Sequence, residues 1–253
     1  MTDQTQCERS VFLISGPDAR EFLQGLISVD LARNKDDLKY GALLTPQGKY
    51  LADFFVVPHS DGALIDVHAN LAQSLVSRLS MYKLRSKVDI QRSDLCVERG
   101  LGPTPDDALS DPRSPEMGWR RYTGLPPTEP EIETATWDKI RVTNLIPESL
   151  IELIPNETYI LETNFEAMGG VDFKKGCYVG QEVTARMKHK TELRKGLARV
   201  SVSEPQPIGT PITVDGRDVG TLFTQSQGEG LAYLRFDRAA GEMEAGTATI
   251  RRI

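Results

Sequence analysis

With 253 residues, 39% of them hydrophobic and 26% charged, the chain can fill the core of one to three compact domains and reads as an ordinary globular protein. A net charge of −6 argues against wholesale binding to nucleic acid and leaves room only for a local basic patch. No apolar run approaches the ~18 residues that a membrane span needs, and Asp3 and Glu8 precede the first apolar burst, unlike a targeting segment.

The chain opens with an expected strand, Val11 to Ile14, and a helix entered at Gly16-Pro17, where proline forfeits no needed donor. Ala19, Phe22, Leu23 and Leu26 form one apolar face, and the helix is expected to end between Leu26 and Asp30. Two apolar runs follow, Tyr40 to Leu44 and Tyr50 to Val57, separated by Thr45-Pro46-Gln47-Gly48, a hairpin signal. Ser60-Asp61-Gly62 marks a second turn before a strand from Ala63 to Val67. Asn70 is a suitable cap for a helix carrying Leu71, Leu75, Leu79 and Tyr82 on one face. A short strand near Val88 to Ile90 completes a ββαβ order, which places the chain in the α+β class.

Residues 101 to 130 hold seven of the 15 prolines and little periodicity, so an extended excursion is expected there. From Arg194 onward every signal is strand: Ala198 to Val202, Pro211 to Val214, Asp218 to Thr224, Leu231 to Phe236 and Ala248 to Ile253, with Asp215-Gly216 as a tight turn. Five short strands in so few residues imply a small barrel or sandwich.

Cys7, Cys96 and Cys177 are odd in number, far apart and without a CxxC pair. They exclude a disulfide framework and a self-contained cluster site, and they suit a reducing cytoplasm. His59, His68 and His189 have no metal-ligand spacing, so no metal site is expected. Cys7 reads as terminal and Cys96 as strand packing.

The segment with chemistry in it is Lys174-Lys175-Gly176-Cys177-Tyr178-Val179-Gly180-Gln181-Glu182. Two glycines bracket a thiol and an aromatic ring, allowing a tight turn and a close approach to a ligand. Seven basic residues oppose only Glu182 and Glu192 between positions 174 and 195. Such surroundings favour a thiolate and suit a carboxylate-bearing ligand. The same residues permit plainer readings: a buried small hydrophobe at Cys177, helix-start partners at Gln181 and Glu182, an exposed His189 and a solvated basic face. RNA contact through residues 174 to 195 is a further reading, although Tyr178 is the only aromatic there that could stack.

Lys175-Gly176-Cys177-Tyr178-Val179-Gly180-Gln181-Glu182, with its approach Gly169-Gly170-Val171-Asp172-Phe173 and its extension to Lys190, resembles the K-G-C-[YF]-x-G-Q-E signature of YgfZ-type folate-binding proteins, relatives of the glycine-cleavage T-protein. Ser15 to Ala19 with Phe22 to Gly25 and Asp30, Leu44 to Lys49, and Gly230 to Arg235 are similar to other segments of that family. The resemblance implies three domains in a ring around a central folate site. A discontinuous T-protein-like domain would span 1–43 and 115–193, a ferredoxin-like unit with the proline-rich connection 44–114, and a β-barrel 194–253.

The resemblance also implies tetrahydrofolate as ligand and a role in iron–sulfur cluster assembly or repair, with tRNA thio-modification affected indirectly. Assembly proteins or apo-enzyme clients would be the partners. In this reading Cys177 supplies a thiolate and Lys175 tunes it. Tyr178, Gln181 and Glu182 shape the pocket, and Glu162 takes the pterin edge, where the relatives carry a folate-contacting glutamate. Asn164, Asp30 and Arg186 are further pocket candidates. The alternative is an enzyme, an aminomethyltransferase of T-protein type. Asp53 would be its acid, although Ala52 stands where that enzyme has a second one.

Overall fold

In the computed structural model, residues 8–33, 36–125, 132–189 and 192–253 are described; Cys7, Pro126, Pro127, Pro130 and Lys190 lie outside them. The first strand, β1 (Arg9–Ser15), leads into the short helix α1 (Ala19–Gln24). Asp18 occupies the N-cap position, so Pro17 precedes the cap instead of opening the helix, and the helix closes at Gly25, earlier than its apolar face suggests. Strands β2 (Lys39–Leu44), β3 (Tyr50–His59) and β4 (Gly62–His68) form the expected hairpins. Helix α2 (Ala69–Lys83) follows without a break. Its cap is His68, whose Nδ1 accepts the Asn70 N–H at 3.2 Å; Asn70 itself lies inside the helix, a correction to the sequence reading.

Strand β5 (Asp89–Ser93) completes a five-stranded antiparallel sheet in the order β2-β3-β4-β1-β5. The boundary drawn at residue 44 therefore passes through a continuous sheet: β1 and β2 lie in it together with β3 to β5. Strands β2, β3 and β4 are buried almost throughout, whereas the edge strand β5 is exposed or half-buried along its length; Ile14, Tyr40, Tyr50, Phe54, Phe55 and Ile65 are among the most enclosed side chains. Near-continuous apolar runs, in place of alternation, follow from covering both faces.

The proline-rich stretch is more ordered than its composition suggests. Strands β6 (Cys96–Gly100), β7 (Leu109–Ser110) and β8 (Trp119–Thr123) form a second sheet in the order β6-β8-β7. Charged groups supply what periodicity does not. Asp111 receives Arg113 at 2.9 Å and Arg120 at 3.1 Å, and Arg120 also reaches Asp66 at 3.2 Å. Asp66 takes Arg9 at 2.6 Å and the Tyr122 hydroxyl at 3.0 Å. Phe55 lies beneath this cluster, with the Arg120 guanidinium 3.6 Å from its ring centre.

Helix α3 (Thr134–Asn144) carries Arg141, among the largest fully buried side chains. Arg141 bonds Glu152 at 2.5 Å and the Thr224 hydroxyl at 3.2 Å, and Glu152 also accepts that hydroxyl at 2.6 Å. Helix α4 (Gln181–His189) precedes the last unit. Strands β9 (Lys195–Val202), β10 (Thr210–Val214), β11 (Arg217–Ser226), β12 (Glu229–Arg235), β13 (Glu242–Ala245) and β14 (Ala248–Arg252) close into a barrel ordered β10-β11-β12-β9-β14-β13. The sequence reading lacked β13, because Glu-Met-Glu-Ala is four residues long with half its side chains charged. Asp215 and Gly216 both have positive φ (49° and 71°), as the two-residue turn between β10 and β11 requires.

The buried ion pairs set an acid limit. Burial alone would raise the Asp111 carboxyl, but Arg113 and Arg120 outweigh it and hold the group down at about 2. Glu148 is likewise held at about 2, where Arg141, Arg113, Arg9 and Arg99 outweigh burial. Both values lie below their ordinary 3.8 and 4.5, so the stabilisation is complete above those values and is lost as pH falls through about 2. Urea unfolding at a series of pH values should show the midpoint falling over that window. Asp111→Asn should be less stable at neutral pH by ~3–5 kcal/mol and should show a shallower acid dependence.

Candidate functional site

The signature loop is built into the fold by its neighbours. Ser28, fully buried, donates its hydroxyl to Gly170 O at 2.6 Å and accepts the Ala42 N–H at 2.9 Å. The Asp172 N–H donates to Ser28 O at 2.9 Å. Thus the approach to the signature is tied to the segment after α1, and that segment to β2.

Lys175 makes the decisive contact. It is 6% exposed, and its ammonium donates to three backbone carbonyls: Gln24 at 2.8 Å, Ile27 at 2.6 Å and Val29 at 2.9 Å. The first belongs to the last residue of α1, where helical acceptors lack partners, and the other two to the segment that follows it. The Tyr178 ring lies 5.0 Å from the same ammonium. Burial lowers the Lys175 ammonium to about 8, with Asp30 and Asp172 pulling it up. Its three donors are all committed to carbonyls. Lys175 is therefore a clamp that fixes the loop, and the expectation that it acts directly on Cys177 is corrected to one of positioning.

Cys177 is exposed, two residues beyond this anchor, and four before α4 begins. Tyr178 turns inward and is buried. Burial raises its hydroxyl to about 12, a rise that a hydrogen bond with Thr184 partly offsets. The two glycines differ in kind. A Cβ on Gly176 would meet nothing within 4 Å. Gly180 has φ +84°, and a Cβ there would sit 2.7 Å from Thr45 O and 2.9 Å from Leu44 Cβ. Facing it, Gly48 has φ +76°, and a Cβ there would sit 2.9 Å from Val183 Cβ. The hairpin turn between β2 and β3 therefore interlocks with the start of α4, and the steric need for glycine falls at position 180, not 176.

The other expected contacts scatter. Glu182 and Arg186 pair with each other at 2.5 Å on the outer face of α4. Gln181 is half-buried at the first position of that helix. Asn164, in a left-handed conformation, donates its amide to Leu145 O at 3.0 Å. Asp30 accepts from Gln24 at 2.9 Å and the Ala32 N–H at 2.7 Å. Against the upward pull of burial, these bonds, Arg33 and Lys175 leave its carboxyl lowered. Asp30 thus belongs with the clamp, whereas Gln181, Glu182 and Arg186 form no common wall with it.

Glu162 lies elsewhere, on the wall of a cleft of ≈ 1210 Å³ against the barrel. It is buried. One of its carboxylate oxygens accepts the Tyr233 hydroxyl at 2.5 Å, and Lys195 stands 3.9 Å from the same oxygen. Burial and the bond to Glu162 raise the Tyr233 hydroxyl well above its ordinary range. Arg194, Arg235 and Asp218 also line the cleft; Cys177 does not. The sequence reading put Cys177 and Glu162 on one cavity; in the structure Glu162 lines this cleft and Cys177 is not among its lining residues. That reading also did not include Tyr233, whose alternation out of the β12 barrel face was the available signal.

The basic segment is largely spent on internal contacts. Lys175 is buried, Arg186 pairs with Glu182, Lys188 with Glu166, and Lys195 lies beside Glu162. Asp53, the acid of the transferase reading, is 3% exposed and accepts three hydroxyls, from Tyr40 at 2.9 Å, Tyr50 at 2.6 Å and Ser149 at 2.6 Å. It ties β2, β3 and the segment at Ser149 together within the core.

Comparison with known proteins agrees with this architecture. Residues 194–252 match the family model described as the CAF17 C-terminal β-barrel domain. Over 96% of its length the chain is 31% identical to the mitochondrial iron–sulfur cluster assembly factor IBA57 homologue of Mycosarcoma maydis, covering 67% of that protein. It is also 31% identical to mitochondrial IBA57 of Mus musculus over 95% of the chain and 79% of the relative. The chain belongs to the IBA57 family of iron–sulfur cluster assembly factors.

Among solved structures, the glycine cleavage system aminomethyltransferase T of Bartonella henselae aligns with a TM-score of 0.77 over 97% of this chain and 82% of that one. At 15% identity it shows the shared fold. Both of these relatives carry the IBA57 name, so the family shown is IBA57 and the YgfZ-type assignment is not confirmed. One expectation is overturned: these relatives are named as mitochondrial and point to the mitochondrion, not the cytoplasm. Free thiols signal a reducing compartment, and that signal does not separate the two.

Two substitutions test the loop geometry. Lys175→Met leaves three carbonyls without their donor and should cost ~3 kcal/mol or more in urea unfolding. Gly180→Ala should cost ~2 kcal/mol or more, while Gly176→Ala stays within ~0.5 kcal/mol of the parent in the same measurement.

Proposed function

We propose that this IBA57-family chain supports iron–sulfur cluster assembly or repair by presenting the Cys177 thiolate as a ligand, with a tetrahydrofolate held in the Glu162 cleft. The observation that carries the reading is an exposed thiol on a loop anchored two residues away by a fully satisfied buried ammonium. An accessible sulfur on a rigid base can approach iron without the cost of ordering a mobile loop. One cysteine supplies one ligand, so the cluster, here the cargo, completes its coordination with sulfur from a partner protein.

The fit to a folate is partial, and it lies at Glu162. One oxygen of that carboxylate is engaged by Tyr233, which fixes its orientation, and the cleft beside it has the volume for a pterin. A carboxylate so held accepts hydrogen bonds from the 2-amino and ring N–H edge. Bound tetrahydrofolate would supply a reduced pterin able to carry one-carbon units or electrons. This chain's own contribution is to bind and orient that edge through Glu162 and Tyr233. Asn164, Glu182 and Arg186 are engaged in other contacts, and none of these or Gln181 lines the Glu162 cleft. With Asp53 enclosed by three hydroxyls, aminomethyl transfer through that carboxylate finds no support, and the few free cations of the basic segment give tRNA contact little.

Two variants separate the two halves of the proposal. Glu162→Ala should weaken tetrahydrofolate binding ~10-fold or more in calorimetric titration, the equivalent of one charge-assisted hydrogen bond; unchanged affinity removes the folate contact. Cys177→Ser should retain folding and folate affinity and lose support of cluster-dependent enzymes in cells. Full support by that variant defeats the thiolate role.

A further inference from the structure

Lys175 fixes the thiol loop, and the seat that receives its ammonium is framed by one side chain. The three acceptors lie between Gln24 and Val29 and converge on Nζ at 2.8, 2.6 and 2.9 Å. Carbonyl oxygens repel one another, so three of them do not gather without a frame. Burial supplies part of it, since Leu26, Ile27, Val29 and Leu31 pack into the core. The N–H groups of Gly25, Leu26 and Ile27 find the carbonyls of Glu21 and Leu23, and that of Ser28 finds Ala42 O.

Beyond Ser28 the half-buried side chain of Gln24 takes over. Its Oε1 accepts the Leu31 N–H at 2.8 Å, and its Nε2 donates to Asp30 Oδ1 at 2.9 Å. Asp30 Oδ1 also accepts the Ala32 N–H at 2.7 Å. The Gln24 amide thus closes residues 25–31 into a loop, and the carbonyls of Ile27 and Val29 lie within it. The third acceptor is the backbone carbonyl of Gln24 itself. One residue therefore supplies one oxygen of the seat and holds the segment that carries the other two. From the far end of that loop a tie returns to the signature. Arg33 stands 3.5 Å from Asp30 and 3.4 Å from Asp172, and Asp172 Oδ1 accepts the Lys174 N–H at 2.7 Å.

We infer that Gln24 is a positioning residue for Cys177: its amide shapes the carbonyl seat of Lys175, and through Lys175 it sets where the sulfur stands. The inference rests on the ligand role proposed for Cys177 and adds the residue on which the sulfur's position depends. A supporting group that lets a reacting atom drift by ~1 Å costs function even though it touches nothing that reacts. Gln24 acts on cluster handling in that way, without contact with the cluster.

The test uses the full chain with Cys7→Ser and Cys96→Ala, so that a trifluoromethyl tag attaches to Cys177 alone. Gln24→Met keeps the side-chain length, the helix propensity and the backbone carbonyl while removing both hydrogen bonds of the amide. The parent should give one narrow fluorine resonance, and Gln24→Met a broadened or split one. In cells, the untagged Gln24→Met chain should support cluster-dependent enzymes about fivefold less well, the equivalent of one hydrogen bond. Gln24→Glu sets a second carboxylate against Asp30 and should do more harm than Gln24→Met. Asp30→Asn in that same chain restores an amide–carboxylate pair with the roles exchanged, and should recover the narrow resonance and most of the support. A Gln24→Met chain that is less stable in urea yet keeps the parental resonance and support marks a purely structural residue and overturns the inference. So does a Gln24→Glu chain that Asp30→Asn fails to rescue; should Gln24→Met not fold, this exchange decides alone. The two proposals fail separately. Cluster support that survives Cys177→Ser sinks the ligand role, whatever the resonance shows. With Cys177→Ser inactive, a resonance indifferent to Gln24→Met sinks the positioning role alone.

Discussion

The arrangement around the thiol depends on one ammonium group. Lys175 places a positive charge where α1 ends, and it satisfies the last carbonyl of that helix, Gln24, together with those of Ile27 and Val29 in the segment that follows. A buried lysine is costly unless every donor is used, and here every donor is used. The cost of burial is offset by local backbone acceptors instead of a counter-ion, which leaves the neighbouring loop rigid without placing a carboxylate against the sulfur. Ser28 and the Asp172 N–H extend the same tie toward β2, so the signature loop, the end of α1 and the first hairpin form one mechanical unit.

Much of the fold was legible because its signals are local. The hairpin turns, the amphipathic face of α2 and the barrel strands appear as period and punctuation, and they emerge within a few residues of expectation. What escaped was carried by distant partners. The β6-β8-β7 sheet is held by Asp111, Arg113 and Arg120 with Asp66, charged residues that in the sequence look like surface. Strand β13 was too short and too charged to register. The cap of α2 fell to His68, whose imidazole nitrogen accepts an N–H as well as an asparagine oxygen would.

The site shows the same division. The Gly-Cys-Tyr sequence and its basic neighbours correctly drew attention to an accessible thiol, yet nothing in the linear order says where each lysine points. Lys175 turns in and Lys188 turns to Glu166. Glu162 could be picked out only by resemblance, and its partner Tyr233 not at all, since the two come together only when the barrel packs against the turn at residues 160–163. Spatial pairing across the chain is the information that a single sequence withholds.

The facing glycines at positions 48 and 180 have an evolutionary corollary. Each is kept free of a side chain by the other's neighbourhood: Val183 presses on one, Thr45 and Leu44 on the other. Grafting the cysteine-bearing loop onto a scaffold of the same fold would therefore fail unless the recipient's first hairpin already ended in a glycine-containing turn. The two segments should be inherited, lost or transplanted together.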